Sequence, residues 1–296
     1  MRRARKDGAS AGVRLRPPEF RLLRDLVNEH CGLSFEDDAA YVFDRRLGER
    51  VLALELAGYD EYYKYLRFDV RGKEELDTAV ELLTTKETYL FRQEYQLRAF
   101  RDELLPVLHK LDAARRRLTV WSAGCSTGEE AYSIAILIRE SGIFEGWDVR
   151  VIGSDLSRSA LATARRGVYR PTSFRATDPE RRHQWFQSRQ DGEHVSERVK
   201  ELCHFGQLNL LDAGRAAIVG KVDAIFCRNV LIYFDPRSRR RAIDIMYERL
   251  SPGGYLMLGH SESLLNVSTA FELVHLREDL VYRKPIAAGR LDGTSR

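Results

Sequence analysis

The chain has 296 residues, 44% apolar and 31% charged, a balance that builds one large or two smaller cores and excludes disordered and fibrous classes. Of its 48 basic and 44 acidic residues, six and one fall within residues 1–16, so this stretch carries +5 while the remainder, with 42 and 43, carries −1; the positive balance belongs to a basic tail, and overall charge argues against a nucleic-acid partner. No run of 18 apolar residues occurs, and Arg2, Arg3, Arg5 and Lys6 lead into Gly, Ala and Ser instead of an apolar segment, so the expectation is a cytoplasmic monomer without membrane insertion.

In chain order, helical periodicity begins after Pro17 and Pro18. Phe20, Leu23 and Val27, then Tyr41, Val42, Leu47, Val51 and Leu52, then Leu76, Val80 and Leu83 recur at three- and four-residue spacing, broken at Cys31-Gly32 and Gly58-Tyr59-Asp60. Residues 17–83 therefore read as an all-helical domain, and 84–117 as a connecting segment. Within the helical domain, Arg45, Arg46 and Arg50 lie within reach of one helix face, which reads either as a solvated arginine face or as a dock for an anionic partner.

The texture changes at Leu118–Ala123, a β-type run that ends in Gly124. A helix follows over Glu129–Glu140, a strand over Val149–Asp155, and a helix over Ser157–Arg166 stopped by Gly167. Further strands fall at Cys203–Leu208, Val222–Cys227 and Gly254–Gly259, with a helix over Arg237–Leu250. Such alternation predicts a doubly wound, mostly parallel sheet in an α/β domain spanning residues 118–284, followed by a tail at 285–296. The polar stretch from Tyr169 to Cys203 breaks the rhythm and reads as an insertion with a hairpin around Asp191-Gly192. The cysteines, Cys31, Cys125, Cys203 and Cys227, are too far apart for a zinc or redox motif, and no metal cluster is expected.

The turn Gly124-Cys125-Ser126-Thr127-Gly128 joins a strand to a helix, as in nucleotide-binding folds, and Asp155 ends the next strand, where a carboxylate accepts ribose hydroxyls. The loop holds no Lys and ends in Glu129-Glu130. An acidic helix start repels a pyrophosphate and suits a phosphate-free cation, which points to S-adenosylmethionine. Asn209-Leu210 and Arg228-Asn229, at the ends of later strands, supply the remaining walls.

These residues together resemble the CheR family of chemotaxis receptor methyltransferases. The resemblance runs through Thr84–Arg92, Trp121–Ser133, Ser154-Asp155, Asn209-Leu210, Ile225–Asp235 and Pro252–Ser263, over about residues 17–284. It implies a Rossmann-like S-adenosylmethionine-dependent methyltransferase domain with a small antiparallel β-subdomain insertion at about 169–203, preceded by an all-helical domain for receptor recognition. It implies transfer of a methyl group to glutamates on the cytoplasmic helices of methyl-accepting receptors, with S-adenosylhomocysteine as product. By position, Thr88, Arg92, Gly124, Glu130, Asp155, Asn209, Leu210, Arg228 and Asn229 line the cofactor site, and Arg92 and Tyr233 stand nearest the methyl group. Lys86 departs from the family's frequent Asn, and the insertion's turn has a single Gly, where members that dock on a receptor's C-terminal peptide tend to carry more. Two rivals remain: a methyltransferase with another substrate, against which the Arg228-Asn229-Val230-Leu231 signature argues, and a catalytically silent signalling scaffold, against which Arg92 and Tyr233 argue.

Overall fold

The computed structural model describes residues 13–286, which divide into two compact units between Thr84 and Thr85. The first unit is four helices, α1 (Pro17–Cys31), α2 (Ala40–Ala53), α3 (Tyr59–Phe68) and α4 (Gly72–Leu83). Their apolar stripes bury Phe20, Leu23, Val27, Phe43, Leu47, Val51, Tyr59, Tyr62, Leu76, Ala79 and Val80, the three- and four-residue repeat of an amphipathic bundle. Pro17 and Pro18 open α1, where a missing N–H costs nothing, and Gly32 closes it in the left-handed conformation.

The second unit begins with α5 (Glu94–Ala99), a π turn over Phe100–Leu104, and α6 (Leu105–Leu111). It continues through β1 (Arg117–Ala123), α7 (Glu129–Ser141), β2 (Asp148–Asp155), α8 (Arg158–Arg166), β3 (Val168–Tyr169), α9 (Pro179–Trp185), β4 (Phe186–Arg189), β5 (Gly192–Val195), α10 (Glu197–Lys200) and β6 (Cys203–Gln207). It ends with α11 (Ala213–Ala216), β7 (Val222–Cys227), α12 (Pro236–Arg249), β8 (Leu250–Leu258), β9 (Glu272–His275) and β10 (Leu280–Arg283). The large sheet has the order β6-β2-β1-β7-β8-β10-β9. Its first five strands are parallel, and β10 and β9 are antiparallel to their neighbours. The doubly wound α/β class is as expected; the closing antiparallel hairpin has no counterpart in the sequence pattern.

Residues 85–116 are part of this unit's core rather than a bridge to it. Leu90, Phe91, Leu97, Phe100, Leu104, Leu105 and Leu108 pack in one cluster with Val120, Ala224, Phe226 and the apolar face of α7. Phe100 meets Phe226 edge to face at 5.0 Å.

The irregular stretch after α8 folds into a second, three-stranded antiparallel sheet of order β3-β5-β4. Arg189 faces Gly192 in its hairpin, so the turn is Gln190-Asp191, one residue earlier than the Asp-Gly expectation. A Cβ at Gly192 would sit 2.8 Å from the Tyr169 carbonyl oxygen, which is why this strand start has no side chain. Among the described residues no helix is long and apolar enough to cross a membrane.

Candidate functional site

Parallel strands expose unpaired backbone at their carboxyl ends, and ligands of open α/β sheets gather there. The register aligns Ala123 with Ser154, Asp155 with Gln207, and Ser122 with Phe226. Gly124, Asp155, Asn209 and Arg228 thereby lie just beyond the same edge.

The loop after β1 is shaped by close packing. Gly124 has φ +83°, and a Cβ there would come within 2.5 Å of a Val230 methyl, so only Gly fits. Its N–H and that of Cys125 both donate to the Ser154 carbonyl, at 2.8 and 2.9 Å. Asp155 receives the Ser126 N–H on Oδ2 at 2.8 Å and the Ser157 N–H on Oδ1 at 2.9 Å. Burial pushes its carboxyl above the usual range, against the pull of those amides. The Leu156 amide adds to these two, and since a carboxylate has about four acceptor positions, capacity for a hydroxyl donor remains.

The paired acids at the start of α7 separate in role. Glu129 turns into the fold, accepting from Thr127 Oγ1 at 2.6 Å and Ser173 Oγ at 3.1 Å. Glu130 stays at the strand edge, accepting from Ser122 Oγ at 2.7 Å and facing Arg228 Nη1 at 3.3 Å. Burial raises the Glu130 carboxyl, chiefly opposed by Arg228.

Arg228 is 6% exposed and ties three segments together. Its Nε donates to Gln96 Oε1 at 2.8 Å, and its Nη2 donates to Gln93 Oε1 at 2.9 Å and to the Arg92 carbonyl. Gln96 in turn donates to the Leu258 carbonyl at 2.9 Å and to Asp279 at 3.0 Å. Desolvation lowers the Arg228 pKa, and Glu130 offsets that effect. The guanidinium is thus committed to protein groups, while the half-buried Arg92 spends Nη1 on the Glu87 carbonyl at 3.0 Å.

A residue not assigned from sequence, Glu262, organises the neighbouring loop. Its Oε2 accepts the N–H of Gly259 at 2.7 Å and of Asn229 at 2.8 Å, and its Oε1 accepts those of Val230 at 2.9 Å and Ile232 at 3.2 Å. This carboxylate holds Asn229 at φ +58°. Tyr233 follows on a short 3-10 turn and is exposed. The acid three residues after the Gly259 turn was the available signal, but its partners lie about 30 residues away.

The remaining expected residues are distributed as follows. Thr88 is half-buried, as is Asn209, whose Oδ1 accepts the Leu211 N–H at 3.0 Å. The Leu210 side chain is buried. Lys86 donates to Ser159 Oγ at 2.8 Å and acts electrostatically on Asp155. In the helical unit the three arginines do not form one free face. Arg46 Nη1 caps the carbonyls of Leu82, Leu83 and Thr84 at 3.0, 3.0 and 3.3 Å, completing the end of α4. Arg50 grips Glu75 through two bonds of 2.9 and 2.6 Å. The i, i+4 spacing that aligned them turns that stripe toward α4, and Arg45 alone is exposed without a side-chain partner among the described residues.

The donor set at the strand edge fits S-adenosylmethionine. Two carboxylates and bare loop backbone suit a cation bearing ribose, and no Lys or Arg within Gly124–Gly128 offers a phosphate a counter-charge. The buried Cys125 and Cys227 thiols are pushed up by burial, so neither is a poised thiolate.

Comparison with known proteins agrees. Residues 18–84 match the CheR methyltransferase all-alpha domain, and residues 86–280 match the CheR methyltransferase SAM binding domain. Chemotaxis protein methyltransferase 2 of Vibrio cholerae is 36% identical over 90% of this chain and 93% of its own length. Chemotaxis protein methyltransferase 1 of Pseudomonas aeruginosa is 32% identical over 90% of this chain and 97% of its own. A solved N-methyltransferase, NodS from Bradyrhizobium japonicum in complex with S-adenosyl-L-homocysteine, aligns at TM-score 0.39 and 17% identity over 77% of this chain and 98% of that one. With both family domains matched in order and across most of the sequence, the chain belongs to the CheR methyltransferase family and is an S-adenosylmethionine-dependent methyltransferase.

Proposed function

We propose that this protein methylates glutamate side chains on the cytoplasmic helices of methyl-accepting chemotaxis receptors, giving glutamyl methyl esters in the cytoplasm. The observation that carries the reading is the division of charge at the sheet's carboxyl edge. Glu130 and Asp155 supply negative charge at the Gly124 loop, while Arg92 keeps N–H groups without partners among the described residues.

S-adenosylmethionine supplies a methyl carbon made electrophilic by its sulfonium. A glutamate side chain ordinarily titrates at about 4.3 and is already ionised at neutral pH, so the protein needs no general base. Its task is to position two groups in line and exclude water. Asp155 would accept a ribose hydroxyl, Gly124 and Glu130 would hold the amino-acid end, and Thr88, Asn209, Leu210 and Asn229 would close the walls. Arg92 orients the incoming carboxylate through its planar fork, and Tyr233 stands beside it. Arg228 acts one step back, fixing the backbone that carries Arg92. On the helical unit, Arg45 contacts the acidic receptor helix, and Arg46 and Arg50 keep its supporting helices together.

The test is transfer of tritiated methyl from S-adenosylmethionine to cytoplasmic receptor fragments. Mild base should release the label as methanol; label that survives base would exclude an ester and with it the glutamate acceptor. Arg92→Ala should lower the transfer rate by about 100-fold with retained S-adenosylhomocysteine binding, the scale expected from lost orientation. A wild-type rate in that variant would remove Arg92 from the reaction.

A further inference from the structure

We propose that the outer face of the first two turns of α12, with the exposed side chains beside it, is the surface on which an acidic segment of the methyl acceptor docks. The proposal rests on the glutamate reading above and names where the acceptor's flanking charges go.

Arg237, Arg240 and Arg241 are spaced by three and four residues and fall on one side of α12, opposite the buried Ala242, Ile243, Ile245 and Met246. The guanidinium groups of Arg237 and Arg241 have no ion-pair or hydrogen-bond partner among the described residues. Arg240 makes one weak contact, Nη2 to the Asn266 carbonyl at 3.3 Å. The same face carries acids only farther on, at Asp244 and Glu248, so its positive charge is confined to the end that begins at Pro236. Asp235 caps the start of the helix, accepting the N–H groups of Arg237 and Ser238 and the Ser238 hydroxyl.

Apolar surface adjoins the charge. Tyr233 is 41% exposed and Ile232 43%, on the turn that leads directly into α12. Leu265 is 79% exposed, one residue from the Asn266 carbonyl that Arg240 reaches. Arg239 fixes the turn to the helix by donating from Nε to the Leu231 carbonyl at 3.2 Å. Arginine mixed with exposed aromatic and aliphatic side chains is the composition of a binding surface rather than of a solvated helix face. An anionic acceptor whose reacting carboxylate reaches Tyr233 would lay its neighbouring acids along this stripe, where complementary charge speeds encounter and fixes register.

The experiment uses the full chain and a cytoplasmic receptor fragment. In Arg237→Glu/Arg241→Glu, KM for the fragment should rise about tenfold, with kcat at saturation and affinity for S-adenosylhomocysteine within about twofold of wild type. The Gln/Gln double variant should give a smaller rise, and the salt dependence of KM should flatten in both. A KM equal to wild type in the Glu/Glu protein would overturn the proposal. A parallel measurement follows the anisotropy of a labelled fragment titrated with S-adenosylhomocysteine-loaded protein. If the wild type adds no base-labile label, the glutamate reading falls; charge reversal that still weakens fragment binding upholds the docking surface, and binding that is unchanged by reversal overturns it.

Discussion

The two edges of the large sheet each bury an acid beside an arginine, and they handle the charge differently. At the carboxyl edge, Arg228 meets Glu130 and extends hydrogen bonds to Gln93, Gln96 and the Arg92 carbonyl. At the amino edge, Asp112 and Asp223 are 3% and 4% exposed and lie together beside Arg115, which bonds Asp112 and approaches Asp223 at 3.6 Å. Thr119 N–H satisfies Asp223 Oδ2 at 2.8 Å, but Asp112 Oδ2 is buried without a partner. The first edge distributes its charge over bonds that fix several segments at once. The second leaves two acids competing for one cation, and the natural resolution is a proton. A buried ion pair organises a site only when its hydrogen bonds reach beyond the pair.

The sharpest way to break this comparison is Arg228→Met. It would leave Glu130 buried without a cation and cut the only described links from β7 to Gln93 and Gln96, a loss of roughly 3–5 kcal/mol for an orphaned buried charge. Thermal denaturation should show a large destabilisation, and calorimetry should show no S-adenosylhomocysteine binding. A variant with wild-type melting and affinity would mean the carboxyl-edge network is ornamental.

Next in size is Glu262→Gln. A glutamine offers one acceptor oxygen where the carboxylate serves four amides, so about two partly buried or exposed N–H groups lose their partner, at roughly 1 kcal/mol each. Methyl transfer should fall by more than about tenfold, mostly in kcat, because the loop carrying Asn229 and Tyr233 loses its hold. Full activity in this variant would show that the loop keeps its shape from packing alone.

Both networks mark the boundary of what the sequence reveals. The strands β1 and β7 announce themselves as apolar runs that stop at Gly124 and Arg228, because burial on both faces of a parallel sheet demands such runs, and β2, half-buried and more polar, shows a shorter apolar stretch that ends at Asp155. Residues at their ends inherit the site from topology, so Gly124, Asp155 and Arg228 are legible. The partners of Arg228 are not, since Gln96 is 132 positions away and a Gln in a helix carries no local signal of a buried bond. Strands β9 and β10 have four residues each with charged and half-exposed positions, too short for a clear alternation. Leu97, Phe100, Leu104 and Leu108 do show helical spacing, and their segment reads as a connection only because it separates two stronger patterns.

Asp155→Asn probes a smaller effect on the same edge. The amide still accepts one backbone N–H but cannot serve a hydroxyl as a charged acceptor, and S-adenosylhomocysteine affinity should fall by about 1.5–3 kcal/mol, or roughly 10- to 150-fold. Because burial holds the wild-type carboxyl above the usual range, affinity should begin to drop at a higher pH than an ordinary aspartate would give as solutions are acidified. That acid limb should become shallower in the variant, with Glu130 supplying the remainder. Unchanged affinity by calorimetry would remove Asp155 from the ligand.

The smallest effect belongs to the amino edge and has the opposite sign. Burial, reinforced by the neighbouring Asp112, pushes Asp223 up to about 6, above its ordinary value of 3.8. A carboxyl whose folded pKa is raised contributes stability when protonated, so its contribution is complete below about pH 4 and is lost as pH climbs through about 6. At neutral pH the ionised Asp223 opposes folding. In Asp223→Asn, the side-chain oxygen still accepts from Thr119, and the new amide can donate to the unpartnered Asp112 Oδ2. The variant should gain on the order of 1–2 kcal/mol at about pH 7, a few degrees in melting temperature, and the gain should shrink as pH approaches about 4. S-adenosylhomocysteine affinity should stay at the wild-type value, because the substitution lies at the opposite end of the strands. A wild type and variant whose melting temperatures differ by the same amount at about pH 4.5 and about pH 7 would show that no shared proton resides there, and the contrast between the two edges would fail at its weaker side.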